Sequence, residues 1–218
     1  MRTFVLGLVL LVALPCVAQQ KKVDLLTNLP SALTRHSTAL GDRVLKPGKE
    51  KTVFNGKFTD DKGKPTVVKL TLQLSGAMQV EGLSPGNSRL AETLLETFTS
   101  DTAEGMLTAI RDGAAVHLLG RRVAPDPAIR GNKTPPLDVF EVSSPARLKR
   151  YFFDSDSGLL YSTQYKDETF SPVMSVEIRF SDWRRVDNSA YPGRVERLEN
   201  DHVVFSFDVD TITASPKQ

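Results

Sequence analysis

Three groups of side chains in this sequence have the types, and part of the spacing, that chemistry requires. Asp154-Ser155-Asp156-Ser157-Gly158 opens like a calcium loop. A helix-flanked calcium loop places a bidentate glutamate at its twelfth position. Here that position is Tyr165, and strand patterns flank the motif, so the run predicts a hairpin turn with Gly158 at positive φ. The second group is the histidines His36, His117 and His202. None stands at ligand spacing from another, and no cysteine can complete a zinc site. His117 falls within an apolar strand pattern and reads as a satisfied strand histidine; His36 and His202 read as surface residues. The third group is Asp208 and Asp210, two apart on a strand and therefore on one face. Paired carboxylates can divide acid and base duties when their environments push their pKa values apart. Arg194 and Arg197 on the preceding strand offer a simpler account, cross-strand charge pairing. Which arginine meets which aspartate depends on whether the Asn200-Asp201 loop holds two residues or three.

The sequence has no Gly-x-Ser-x-Gly elbow, no Ser-x-x-Lys pair at a helix start and no glycine-rich phosphate loop. It therefore reads as a protein without catalytic residues, metal or cofactor. The short basic pairs Arg121-Arg122 and Lys149-Arg150 read as solvated strand ends. With 28 basic and 26 acidic side chains, the chain lacks the electrostatic footprint of a nucleic-acid partner and has no charge-driven pull towards membranes.

The elements that must position any site begin after an export signal. Residues 1–18 carry Arg2, an apolar run from Phe4 to Val12, Pro15, and a small-residue ending at Ala18, the pattern of a signal peptide cleaved near Ala18. The run is shorter than the roughly 20 residues of a membrane span, so no transmembrane segment is expected after cleavage. Pro15, where a lipoprotein signal has a small residue, argues against lipidation of Cys16. Cys16 is the sole cysteine and leaves with the signal, so the mature chain forms no disulfide. An exported chain without cysteine fits a bacterial periplasm, or secretion, as a single domain over residues 19–218.

Along that domain, Leu25, Leu26, Leu29, Leu33 and Leu40 suit a helix starting near Pro30 and stopping at Gly41. Thr52–Thr59 reads as a strand, followed by a turn at Asp60–Gly63. Val68, Leu70, Leu72 and Leu74 alternate with Lys69, Thr71 and Gln73, the mark of a strand with one apolar face. Ala77–Glu81 reads as a further strand. Leu90, Ala91, Leu94, Leu95 and Phe98 form one helix face, and Ala103, Met106, Leu107 and Ile110 another. Asp101 is expected to cap the second helix and Gly113 to end it. Ala114–Arg122 reads as a strand. Residues 123–136, with five Pro or Gly, read as a long irregular loop. Strand patterns then follow at Leu137–Val142, Leu148–Asp154, Leu159–Lys166, Val173–Phe180, Arg194–Glu199 and Val203–Ile212, an antiparallel meander.

Within that meander, Lys149-Arg150-Tyr151-Phe152-Phe153-Asp154 and Ser157-Gly158-Leu159-Leu160 resemble the hairpin of the outer-membrane lipoprotein carrier (LolA-like) superfamily. Val176–Phe180, Ser181-Asp182-Trp183, Val186-Asp187, Tyr191-Pro192 and the hairpin from Arg194 to Val209 follow in the same order as in that superfamily. The resemblance implies an α+β fold, a strongly curved, incompletely closed antiparallel β-sheet with helices over its concave face. It also implies an apolar pocket for acyl chains. None of the superfamily's ligand-handling residues matches a position here, so none is carried over. If the pocket exists, its lining is expected from Val68, Leu70, Leu72, Leu74, Leu94, Leu95, Phe98, Met106, Leu107 and Ile110. The function expected is non-enzymatic binding of a lipid, acyl chain or lipoprotein; the alternative is an envelope protein-interaction or structural module without a ligand cavity, since periodicity is identical for a filled and a hollow interior.

Overall fold

A computed structural model describes residues 31–45, 50–73, 78–123 and 135–216. The signal segment, Leu74 and residues 124–134 of the Pro-rich stretch lie outside the described residues. Helix α1 spans Ser31–Leu40 and the short α2 Asp42–Leu45, followed by strands β1 (Glu50–Asp60), β2 (Pro65–Gln73) and β3 (Gln79–Glu81). Helices α3 (Ser88–Ser100) and α4 (Ala103–Arg111) come next. The remaining strands are β4 (Ala115–Val123), β5 (Pro136–Ser143), β6 (Leu148–Asp154), β7 (Leu160–Asp167), β8 (Met174–Ser181), β9 (Arg184–Val186), β10 (Ser189–Tyr191), β11 (Arg194–Glu199) and β12 (His202–Pro216).

Ten strands form one open antiparallel sheet in the order β3-β2-β1-β12-β11-β8-β7-β6-β5-β4. The expected α+β fold with an unclosed sheet is what the chain adopts. Its curvature has local causes. β12 carries an extra residue opposite the Asn55/Gly56 step of β1 and another opposite the Arg197/Leu198 step of β11. Bulges also interrupt β4 at Leu118/Gly120 and the pairing of β6 with β7 after Phe152. Each extra residue bends its strand and increases the local twist.

The concave face is apolar. Phe54, Phe58, Val68, Leu70, Phe140, Tyr151, Phe153, Val176, Ile178, Phe180, Val195, Phe205 and Phe207 are buried there in one cluster with Leu33, Leu40, Leu94, Phe98, Met106 and Leu107 from the helices. Burying each large side chain is worth about 1.5–3 kcal/mol, so this layer is the main cohesive term. The opposite face is a lattice of paired charges and amides: Arg150 with Glu141 at 3.0 Å, Gln164 with Glu177 at 3.2 Å, Arg194 with Asp208 at 2.5 Å. Such exposed pairs add little individually, but they keep that face wet.

The short hairpin β9–β10, which periodicity misses because each strand has only three residues, fastens the helices. Gly41, at φ +89°, bridges to Ser189. The Arg43 amide donates to Ser189 Oγ at 3.0 Å. The Arg43 guanidinium lies 4.7 Å from the Tyr191 ring centre and pairs with Glu104 of α4 at 2.5 Å.

A Cβ at Gly41 would stand 1.8 Å from the Asn188 carbonyl oxygen, besides sitting at positive φ, whereas Gly63, at φ +72°, has nothing within 4 Å. Gly63→Ala is expected to cost about 1 kcal/mol and Gly41→Ala about 2–4 kcal/mol. Thermal melts would then show the Gly41 variant falling by roughly 5–10 °C and the Gly63 variant by a few degrees. Equal losses would remove the clasp between α1 and the β9–β10 hairpin from the account.

Candidate functional site

The concave layer gathers the residues expected to line a pocket. Val68, Leu70, Leu94 and Met106 are fully buried, Phe98 and Leu107 nearly so, and Leu72, Leu95 and Ile110 pack against them partly buried. Leu74 lies outside the described residues. Helices α3 and α4 supply their apolar faces as a lid, and β1, β2 and β12 supply the floor. The Phe98 ring rests 5.1 Å from Phe54 and 6.0 Å from Phe207, centre to centre, and Phe58 stacks on Phe205 at 5.1 Å. Helices and floor touch.

Beneath the junction of α3 and α4 lies a polar knot. Asp101, expected to cap α4, does not do so: Thr102 takes the cap, its hydroxyl accepting from the Gly105 amide at 3.4 Å. Asp101 instead ends α3 and points into the interior, fully buried. Lys149 Nζ donates to its carboxylate at 2.6 Å and to the Ser100 carbonyl at 3.0 Å. Thr163 Oγ1 donates to the Asp101 carbonyl at 2.7 Å, and the Tyr151 hydroxyl donates to the Ser100 carbonyl at 3.4 Å. Arg197, itself buried, stands 3.9 Å from the second Asp101 oxygen and donates to Glu199 at 3.0 Å. Burial raises the Asp101 pKa against the pull of Lys149, and burial, with Asp101 alongside, raises those of Tyr151 and Tyr165.

Lys149 is thus not a solvated strand end. Its side chain is 14% exposed, while Arg150, its neighbour on the other face, is 50% exposed. The signal was present in the sequence: Lys149 alternates in phase with Tyr151 and Phe153, so a sheet that buries the aromatics buries the lysine stem.

His36 likewise corrects the surface reading. It is fully buried, stacked on Phe153 with ring centres 4.6 Å apart. Its Nε2 lies 3.2 Å from an Asp138 oxygen, and its Nδ1 lies 3.2 Å from the Gly158 carbonyl. Arg121 donates to the other Asp138 oxygen at 3.0 Å. Leu33, His36, Ser37 and Leu40 form the buried stripe of α1, a spacing that places His36 on the apolar face. Burial lowers the His36 pKa from its ordinary 6.5, against its hydrogen bonds to the Gly158 carbonyl and the Asp138 carboxylate.

His117 is exposed on β4, and His202 is exposed at the start of β12. Asp208 meets Arg194, but Arg197 turns to the concave side opposite Phe205. Asp210 falls at the bulge of β12 and is exposed, so the two aspartates do not converge. The Asn200-Asp201 loop has two residues, both at positive φ. The Asp154 carboxylate accepts from the Asp156 amide at 2.7 Å and the Ser157 amide at 3.2 Å, with Gly158 at φ +77°. That is a turn, and no cluster of three metal-ligating residues occurs among the described residues. No helix among them is long and apolar enough to cross a membrane.

A separate open cleft of about 770 Å³ lies over the β5–β6 and β7–β8 turns, where Arg147, Leu148, Lys166 and Asp167 line it beside Tyr165. None of the candidate lining residues borders it.

No family model matches the chain, and no curated protein matches its sequence. Solved structures do match it in shape. A domain from Vibrio parahaemolyticus described as an outer membrane lipoprotein-sorting protein superposes with a TM-score of 0.52 at 7% identity, over 84% of this chain and 91% of that one. A LolA superfamily protein from Nitrosomonas europaea gives a TM-score of 0.47 at 9% identity, over 86% of this chain and 94% of that one. The chain has the LolA-like fold, as the hairpin resemblance implied.

Lys149→Met should remove the cation hydrogen-bonded to the buried Asp101 carboxylate, leaving only Arg197 at 3.9 Å, and cost about 3 kcal/mol in urea unfolding. Adding Asp101→Asn should restore most of that loss, because no uncompensated charge then remains. A double variant no more stable than the single one would show that the knot is not a charge pair. For His36 the folded state takes its proton at lower pH than the unfolded chain, so stability is lost as pH falls below about 6.5. Unfolding midpoints at pH 7.5 and 5.5 should differ more for the native chain than for His36→Gln, and equal differences would rule out His36 as the titrating group.

Proposed function

We propose that this chain is a non-enzymatic periplasmic binding protein for a hydrophobic ligand, whether lipid, acyl chain or lipoprotein. The observation that carries the reading is the construction of the concave layer. Its aromatic floor is covered by two amphipathic helices whose hydrogen bonds to the strands gather at the end of α3. Apolar contact, the Asp101 knot and the pairs Arg43–Glu104 and Arg147–Glu96 hold them. A ligand enters by taking the place of Leu94, Phe98, Met106 and Leu107 on that floor, as the knot at the junction opens and α3 and α4 move away. An acyl chain then replaces apolar contacts with apolar contacts, and the exchange demands little net burial. The match to a domain described as lipoprotein-sorting supports this reading. So does the export pattern of residues 1–18, with cleavage near Ala18.

The second reading is an envelope protein-interaction or structural module without a ligand cavity, and one observation favours it: the candidate lining side chains are already in contact with one another. A fluorescent fatty acid separates the two. Under the carrier reading the native chain binds it, native mass spectrometry of protein from the periplasm finds lipid-sized adducts, and Lys149→Met binds more tightly because its lid is released. Absence of binding by both proteins, with only the bare mass recovered, would leave the module reading.

A further inference from the structure

The sheet is open, so it has two edges, and they differ. β3 offers three residues, and its exposed Glu81 is paired to Lys69 at 2.9 Å. β4 offers nine residues, Ala115–Val123, with β5 on one side and, among the described residues, no strand on the other. Alternate backbone amides and carbonyls of an edge strand face outward unpaired, a template for another extended chain. Ala115, His117, Leu118, Leu119, Arg121 and Arg122 are all exposed, with Leu118 at 46% and Leu119 at 38%.

Charge decides what such a template accepts. The β4 segment carries His117, Arg121 and Arg122 and no acid, in a chain whose charges otherwise nearly cancel. The acids of the neighbouring strand are already engaged: Asp138 by Arg121 and His36, Glu141 by Arg150. Arg122 has no acidic partner among the described residues. A second copy of β4 would bring basic residues against basic residues, which disfavours pairing of this edge with itself. An extended segment with alternating acidic and apolar residues meets both needs. Its carboxylates line one face, opposite Arg122, and its apolar residues line the other, over Leu118.

We propose that the β4 edge receives an acidic, extended segment of a partner protein as an eleventh strand of the sheet. This surface lies apart from the concave layer, so it stands whether or not a lipid binds there. Backbone pairing supplies the adhesion, and Arg122 selects the sign of the charge. The incoming strand crosses the Leu118/Gly120 bulge, with Leu118 on one side of it and Arg122 on the other.

The test uses a synthetic decapeptide of alternating valine and glutamate, labelled for fluorescence anisotropy, against the full mature chain. A valine–lysine peptide of the same length is the control. The glutamate peptide should bind and the lysine peptide should bind roughly tenfold or more weaker; Arg122→Glu should weaken the glutamate peptide by about tenfold, the product of losing one cross-strand charge pair and gaining a repulsion. Hydrogen exchange should show protection by the peptide confined to Ala115–Val123. Equal binding of both peptides, no effect of Arg122→Glu in a variant with unchanged circular dichroism, or protection at the Arg147 cleft instead would each overturn the proposal.

Discussion

The whole arrangement follows from one constraint: a broad aromatic sheet face cannot be left in water. Phe54, Phe58, Phe205 and Phe207 stand side by side on β1 and β12, and Phe140, Tyr151 and Phe153 on β5 and β6. A flat sheet would need a second layer as wide as itself. A curved one reduces the area to be covered, so that α1, α3 and α4 suffice. Bulges at Asn55/Gly56, Arg197/Leu198, Leu118/Gly120 and Phe152/Phe153 therefore serve packing as much as shape. They shorten the span between distant strands of the same face.

A cover of short helices raises a difficulty of its own. Helices of ten, thirteen and nine residues are marginal in isolation, and apolar contact is non-directional, so it does not specify where on the floor a helix sits. The two polar fixtures supply direction. Asp101 sets the α3–α4 junction over Lys149 and Thr163, and His36 sets α1 over Asp138 and Gly158. Both are buried, so the desolvation of their charges offsets much of their attraction. Their value lies in register. Shifting either helix by one turn would leave a buried carboxylate or imidazole without its partner.

The strand meander from Pro136 onward was legible because its strands alternate and its turns carry Asp-Ser-Gly and Asn-Asp, residues that adopt positive φ. β6 and β11 were read to the residue. Helices α3 and α4 were legible from their apolar stripes. The knot was not, because it joins Asp101 to Lys149, and no local pattern links two charges on separate elements. The stripe of α1 did contain His36, and the alternation of β6 did contain Lys149. In both cases a charged or titratable side chain sits in phase with an apolar stripe. Position was the better guide, since a side chain in phase with buried aromatics is carried inward with them. The β9–β10 hairpin escaped notice because strands of three residues show no period.

These two fixtures also bear on what the cover can do. A lid cemented only by aromatic contact would be hard to lift and indifferent to where it returned. Here the apolar contacts of α3 and α4 are non-directional, while the contacts that set position are few: the Asp101 group at the end of α3, Glu96 with Arg147, and Glu104 with Arg43. Displacement of the two helices would break these few polar contacts. Asp101, with its pKa raised by burial, would regain water as that group opened, and its carboxylate would be recaptured by Lys149 as the group closed. A few directional contacts, with non-directional contacts spread over the floor, fix the resting place of a cover whose cohesion is mostly apolar.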